Sequence, residues 1–374
     1  MTKVLVLYMT AGHGHRKVAE AIAEELKAAD LKNFTVEVFD ALDKTNFVFR
    51  FSYPRLYYWL ILWMPWLWGV FFYLTNFSWL YALIKPIRSV WNTIQSVPLR
   101  TYLKKKEFDF IVSTHFFPAQ VAGRLKKGGA IKSTLITVVT DVIPHRVWRN
   151  PGTDVYWVMA EESEEALIAQ GSDRRQIKIG GIPISQQFLV PYDRSSLQRK
   201  FGLDPDRFTI LFSSGSFGLG PTEAVLNSLS CLRRPIQTIV VCGYNQSLYQ
   251  DLNKKRYRFP TILFGFVDHM PELMTVSDLL LAKPGGATTC ESLAMGLPMV
   301  ITDSIPGQEA GNAKWLLNRK IAFELDRVDQ AADLLEGILQ DAALLQQIKR
   351  EVSLSAKPNA ARDLIHYLRS EAVK

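Results

Sequence analysis

Cysteine is scarce: Cys231, Cys242 and Cys290 are the only three in 374 residues, an odd number without metal-ligand spacing. That argues against disulfides and a structural zinc, and it fits a reducing cytosol. Met1-Thr2-Lys3 runs straight into an apolar stretch with no h-region or cleavage site, so no secretory signal is expected. The glycine fingerprint of a dinucleotide site is missing from the first loop, Thr10-Ala11-Gly12-His13-Gly14-His15, where Lys17 stands at the third glycine position. Charge is missing altogether from Leu56 to Ile84, and acidic residues are missing from all of 44–106, which holds nine Lys or Arg.

The most informative stretch is Lys283 to Asn312. Asp278 to Ala282 before it is a short apolar run, as in a buried parallel strand. Pro284, Gly285 and Gly286 make a tight turn that another molecule can approach closely. Ala287 to Met295 has helical spacing, and Gly296-Leu297-Pro298 ends it before a strand at Met299 to Thr302. A helix N-terminus behind a glycine turn offers free N–H groups and partial positive charge, which suit a phosphate. Glu291 lies one turn inside, within reach of a sugar diol. Gln308, Glu309 and Asn312 on the next loop can bind hydroxyls.

This pattern resembles the nucleotide-sugar half of family 28 glycosyltransferases, which include the monogalactosyl- and monoglucosyl-diacylglycerol synthases and the peptidoglycan lipid-intermediate N-acetylglucosaminyltransferase. The resemblance implies that Gly285, Gly286, Ala287 and Thr288 hold the UDP phosphates and Glu291 the ribose. It assigns the donor sugar to Gln308, Glu309 and Asn312, and the uracil contact to Phe266 and Val267. The first loop resembles the family's N-terminal G-x-G-H loop, with Gly14 and His15 in place, although other members often carry glycine at His13. The implied fold is GT-B, two Rossmann-like α/β domains facing a cleft.

In chain order, Lys3 to Tyr8, a helix from Arg16 to Ala29 and Phe34 to Phe39 read as a βαβ opening. Alternating units continue to about residue 185, giving an N-terminal domain of 1–185. Residues 186–357 form the UDP-sugar domain, and a last helix at 358–374 is placed to cross back. The second domain has its own glycine-rich turn, Ser214 to Pro221, in which Gly215 and Ser216 face the donor, with a helix from Glu223.

Residues 44–106 are expected to be a membrane-docking insertion. Trp59, Trp63, Trp66 and Trp68 suit a lipid headgroup interface. Lys85, Arg88, Lys104, Lys105 and Lys106 each add about 1 kcal/mol on an anionic leaflet. One simple crossing is excluded, because the strands before and after the segment must join a single sheet. Pro65, Gly69 and Asn76 also interrupt a clean span. Part of the segment is expected to pack the N-terminal core, and a re-entrant hairpin stays open. The net charge of +8 favours an anionic partner. Its distribution points to a phospholipid membrane at the cytoplasmic face rather than to nucleic acid.

His15 is the expected base, taking the proton of an acceptor hydroxyl as it attacks the anomeric carbon. Asp141, at a strand end, is placed to orient His15, to replace it as base, or to cap a turn. Two helix N-termini stabilise the departing UDP, so neither a metal nor a cofactor is expected. The leading expectation is an inverting transfer of glucose or galactose from UDP-glucose or UDP-galactose to 1,2-diacylglycerol. A polyprenyl-linked acceptor, a UDP-sugar epimerase and a non-catalytic UDP-sugar sensor are the alternatives.

Overall fold

The computed structural model describes residues 1–10, 12–29 and 33–373, so Ala11 of the first glycine loop lies outside the described residues. Two six-stranded, wholly parallel sheets carry the molecule. The first contains β1 (Thr2–Tyr8), β2 (Phe34–Asp40), β3 (Phe110–Ser113), β4 (Thr134–Val138), β5 (Val155–Val158) and β6 (Ile177–Ile179), in the order β2-β1-β3-β4-β5-β6. The second contains β7 (Phe208–Ser213), β8 (Ile236–Val241), β9 (Thr261–Phe264), β10 (Leu279–Ala282), β11 (Met299–Ile301) and β12 (Ala322–Glu324), in the order β12-β11-β10-β7-β8-β9. Val, Ile and Leu fill the central strands because helices cover both faces; β3, β8 and β10 are buried throughout, and β1 over Val4 to Leu7.

In each sheet the strand order reverses once, beside β1 in the first and between β10 and β7 in the second. Such reversals leave a crevice beyond the carboxyl ends of the strands. Here the two crevices face each other. Helix α1 (His13–Ala28) follows β1 and buries Val18, Ile22 and Leu26, one apolar face at i, i+4 spacing. It begins at His13, so Gly14 and His15 stand in its first turn and not in the preceding loop. The chain's last helix, Ala360–Ala372, packs on α1, and its Leu364 and Leu368 join the core cluster that holds Val4 and Leu280. Each lobe's sheet therefore shares one apolar core with a helix from the far end of the chain.

Between β2 and β3 run α2 (Phe47–Trp63), α3 (Pro65–Asn76), α4 (Ser78–Gln95) and α5 (Val97–Lys106). Phe49, Leu99 and Leu103 pack against Leu5, Leu7 and Phe117 under the first sheet. The rest is unusually bare: Trp63, Trp66 and Trp79 are each more than 60% exposed. Among the described residues no single helix is long and apolar enough to cross a membrane, and α2 and α3 meet at 112°. Pro65 and Asn76 begin and end α3, as breaks should. Gly69 does not break it; a methyl there would lie 2.6 Å from Pro306 Cβ of the second lobe. Trp68 also departs from the sequence reading, since it turns inward with its ring 5.3 Å from Tyr57. Lys104 and Lys105 are exposed, Lys106 reaches Glu37 at 3.4 Å, and Arg88 donates to the Tyr81 hydroxyl. Burial and the cations Arg149 and Arg88 lower the Lys85 pKa.

Truncating Leu364 to Ala should cost about 2–5 kcal/mol of stability, read from urea unfolding. A loss under 1 kcal/mol would show that the C-terminal helix does not anchor the shared core.

Candidate active site

Five strand ends converge on one cleft between the lobes. The first lobe contributes Gly12, His13, Gly14 and His15 after β1, and Thr140 and Asp141 after β4. The second contributes Ser213 to Phe217 after β7, Lys283, Gly285 to Thr288 after β10, and Ile305, Gln308, Glu309 and Asn312 after β11. Tyr57, Tyr58 and Ile61 of α2 complete the wall.

The glycine turn is built for close approach. Gly285 caps the helix Gly286–Ala294, which has no side-chain cap. The Gly285 N–H is spent on the Lys283 carbonyl at 2.9 Å, so it cannot serve a phosphate. The N–H groups of Gly286, Ala287 and Thr288 find no acceptor among the described residues. A first turn of three free donors is an anion site by construction. Lys283 stands beside it, 3.1 Å from Asp303. The second glycine turn holds Gly215 and Gly218 at φ +67° and +61°, a conformation that favours glycine. Gly215 and Ser216 line the cleft, but the helix behind them starts at Thr222 and does not. Of the two helix N-termini that the sequence named, the one at Gly286 lines the cleft and the one at Thr222 does not; the helices that open at His13 and Gln308 bring their first turns to it as well.

On the opposite wall, His15 Nδ1 lies 2.8 Å from the Thr114 carbonyl and 3.0 Å from Thr140 Oγ1. A carbonyl only accepts, so Nδ1 carries the proton and Nε2 the lone pair. Burial pushes the His15 pKa down to about 4, against a smaller upward pull from the Thr114 carbonyl. Asp141 does not orient His15. Its Oδ2 accepts from Trp148 Nε1 at 2.6 Å, and burial pushes its pKa up to about 6, an effect that this hydrogen bond partly offsets. At neutral pH both groups can accept a proton, and the carboxylate is the stronger base.

Gln308 donates through Nε2 to the Tyr57 hydroxyl at 2.9 Å. Glu309 accepts from the Ile305 N–H at 2.8 Å, and burial raises its pKa. Asn312 straddles the lobes: its Oδ1 accepts from the Val142 N–H and its Nδ2 donates to the Pro284 carbonyl, both at 2.9 Å. Glu291 is not in the cleft lining. It is buried at the lobe interface with Oε1 3.5 Å from Lys17 Nζ of α1. Phe266 and Val267 stay outside the lining too; Phe266 stacks on Tyr244, ring centres 4.4 Å apart, next to His13.

Sequence reading missed Tyr57, Tyr58 and Ile61, because an unbroken aromatic stretch gives no sign of which residues turn inward. It also passed over Asp204-Pro205-Asp206, which has D-x-D spacing. Asp204 there accepts from the Asp206 N–H and Arg207, ahead of β7 and so at the sheet end away from the cleft. Among the described residues no three His, Cys, Asp or Glu side chains gather as a cation site.

Comparison with known proteins follows these lobes closely. A family model described as monogalactosyldiacylglycerol (MGDG) synthase matches residues 15–184, and one described as the glycosyltransferase family 28 C-terminal domain matches 209–366. A processive diacylglycerol beta-glucosyltransferase of Staphylococcus carnosus is 29% identical over 375 residues, covering 98% of this chain and 93% of that protein. A probable chloroplastic monogalactosyldiacylglycerol synthase of Glycine max is 30% identical over 380 residues, covering 98% of this chain and 71% of that one. The crystal structure of Acinetobacter baumannii MurG superposes with a TM-score of 0.64 at 13% identity, over 99% of this chain and all of that one, which shows the same two-lobed GT-B fold. The chain belongs to the family 28 glycosyltransferases, in the branch of the monogalactosyldiacylglycerol synthases.

Proposed function

We propose that this protein moves a hexosyl group, glucosyl or galactosyl, from a UDP-sugar to the 3-hydroxyl of 1,2-diacylglycerol, inverting the anomeric centre, at the cytoplasmic face of a membrane. The observation that carries the reading is the make-up of the cleft. Free amides at Gly286 to Thr288 stand on one wall, two buried proton acceptors on the second, and the apolar helix α2 on the third. A diphosphate, an attacking alcohol and a lipid each find a surface of matching chemistry.

In the transfer, the acceptor oxygen attacks C1 of the sugar while its proton passes to the base. The C1–O bond to UDP breaks, and the electron pair leaves on the diphosphate, where the amides and Lys283 stabilise it. Asp141 is the base best matched to neutral pH, since its pKa of about 6 lies nearest the working range. His15 is the second reading, favoured by its Nδ1 anchor on Thr114, which leaves Nε2 free to accept. Lipid reaches the cleft from α2 to α4, whose exposed aromatics and acid-free basic flanks suit an anionic leaflet. Glu291 serves the ribose once Lys17 gives way to it.

Purified protein with liposomes containing diacylglycerol should form glycolipid from UDP-glucose or UDP-galactose. No product from either donor refutes the transferase. The acid limb of kcat/KM separates the two bases. With Asp141 it bends near pH 6, because activity falls as the carboxylate gains its proton; with His15 it stays level to about pH 4. Asp141→Asn should then lower kcat by about 10²–10⁴ while UDP binding is kept. Gly286→Ala tests closure: the added methyl would sit 2.0 Å from the Thr140 carbonyl, so the lobes cannot meet. Its turnover should fall at least about tenfold with the unfolding midpoint little changed. Wild-type turnover in this variant would show that closure is not required. For docking, replacing Trp59, Trp63 and Trp66 together by Ser should abolish flotation with phosphatidylglycerol vesicles, and unchanged flotation contradicts the surface assigned.

A further inference from the structure

The far end of the cleft is not built by the second lobe alone. Gln308 opens its helix at the turn after β11, and its amide is bound by Tyr57, which lies in the middle of α2. On that same helix Phe51, Trp59, Leu62 and Trp63 are exposed. Two further contacts press the α2–α3 hairpin on the same turn. Gly69 leaves no room for a methyl against Pro306, and a methyl on Gly307 would lie 2.7 Å from the Phe72 ring. Gly307 holds φ at +105°, so this position suits glycine on both counts.

Within its own lobe the hairpin is held at its two ends: Phe49 packs on Phe117, and the last turn of α3 is hydrogen-bonded to His145 and Arg146. Phe49 is the buried residue of α2, and Gly69 and Thr75 are those of α3, among the described residues. Gly69 owes its place to Pro306. Elements with so few buried contacts take their orientation from whatever else they touch. Between those two ends the hairpin meets the 306–308 turn on one side and turns bare aromatic surface outward on the other.

The polar chemistry points inward. Because Gln308 donates to the Tyr57 oxygen, its own carbonyl oxygen has no donor among the described residues, and the Tyr57 proton has no acceptor. Both residues line the cleft. A carbonyl acceptor and a hydroxyl donor side by side form a pair suited to a sugar hydroxyl. Burial raises the Tyr57 pKa, so the hydroxyl keeps its proton at working pH.

We infer that Tyr57 is a positioning residue for the donor sugar, acting through Gln308, and that the sugar end of the site is complete only when the α2–α3 hairpin is seated. This rests on the donor role proposed for Gln308. Membrane docking and UDP-sugar binding are then linked. A bilayer that buries the aromatic face pins α2, and α2 fixes Gln308. Linkage is reciprocal, so the sugar nucleotide must strengthen vesicle binding by the same factor. UDP, which lacks the sugar, gains nothing.

The test uses the full chain and Tyr57→Phe, which keeps the ring and removes the hydroxyl. Equilibrium binding of UDP, UDP-glucose and UDP-galactose is measured with and without phosphatidylglycerol vesicles free of diacylglycerol, so that no turnover occurs. Vesicles should tighten the productive UDP-sugar at least about fivefold and leave UDP within about twofold. Saturating UDP-sugar should tighten vesicle flotation by the same factor. With diacylglycerol added, Tyr57→Phe should still make glycolipid, with a donor KM raised about fivefold, an unchanged affinity for UDP and most of the vesicle effect gone. Donor affinity indifferent to vesicles, a Tyr57→Phe KM within twofold of the parent, or an equal loss of UDP and UDP-sugar binding would each overturn the inference while leaving the transferase standing. A parent protein that makes no glycolipid would remove the transferase reading, and this inference with it.

Discussion

The contact on which this structure depends is the meeting of Gly286 with the carbonyl of Thr140. One is the first residue of the helix that offers free amides, and the other immediately precedes Asp141. Any side chain at 286 would hold the lobes apart, and a separation of one methyl group misplaces a reacting atom by more than catalysis tolerates. Asn312 secures the same seam, with one buried amide satisfying the Val142 N–H on one lobe and the Pro284 carbonyl on the other. Neither backbone group would otherwise have a partner there, so opening the lobes exposes two polar groups that only water can serve. Closure and assembly of the site are thus one event.

Around that seam the chain separates two tasks that a soluble enzyme would merge. The free amides and Lys283 that the proposed reading gives to the nucleotide lie at the carboxyl end of β10. The lipid access proposed for α2 to α5 lies in a segment inserted between β2 and β3. The exposed Trp and Phe of the insertion form an apolar surface that the proposed membrane contact would cover. The 112° bend between α2 and α3 keeps both helices on one side of the first sheet, so β1 and β3 can be neighbours. That geometry reconciles a 29-residue uncharged stretch with a sheet that cannot straddle a bilayer.

Much of the fold was legible because parallel strands and glycine turns write themselves in local sequence. The apolar run ending at Ala282, the Pro-Gly-Gly turn and the helix after it fall within a residue or two of their places. What failed to show was which partner each side chain meets. Glu291 has the spacing of a ribose ligand, yet its partner is Lys17, 274 positions away. Phe266 has the position of a base contact, yet it stacks on Tyr244. Trp68 is as aromatic as Trp66, and only the packing of α3 on the 306–307 turn selects which of them turns inward. Asp141 and His15 sit on the same cleft, as their loops suggested, but Trp148 and Thr114 hold them apart from each other. Long-range partners of this kind leave no periodicity to read.

In the proposed reading a nucleotide displaces the Lys17–Glu291 pair. Lys17 is well exposed and the separation is 3.5 Å, so the pair contributes on the order of 0–1 kcal/mol. A ribose diol offers two hydroxyl donors to the same carboxylate without demanding that an ammonium be desolvated beside it. The exchange is close to balanced, and the Lys17 side chain regains rotamer freedom as it swings back to water. The lobes are held by a large apolar core at the C-terminal helix and by a small polar latch at the cleft.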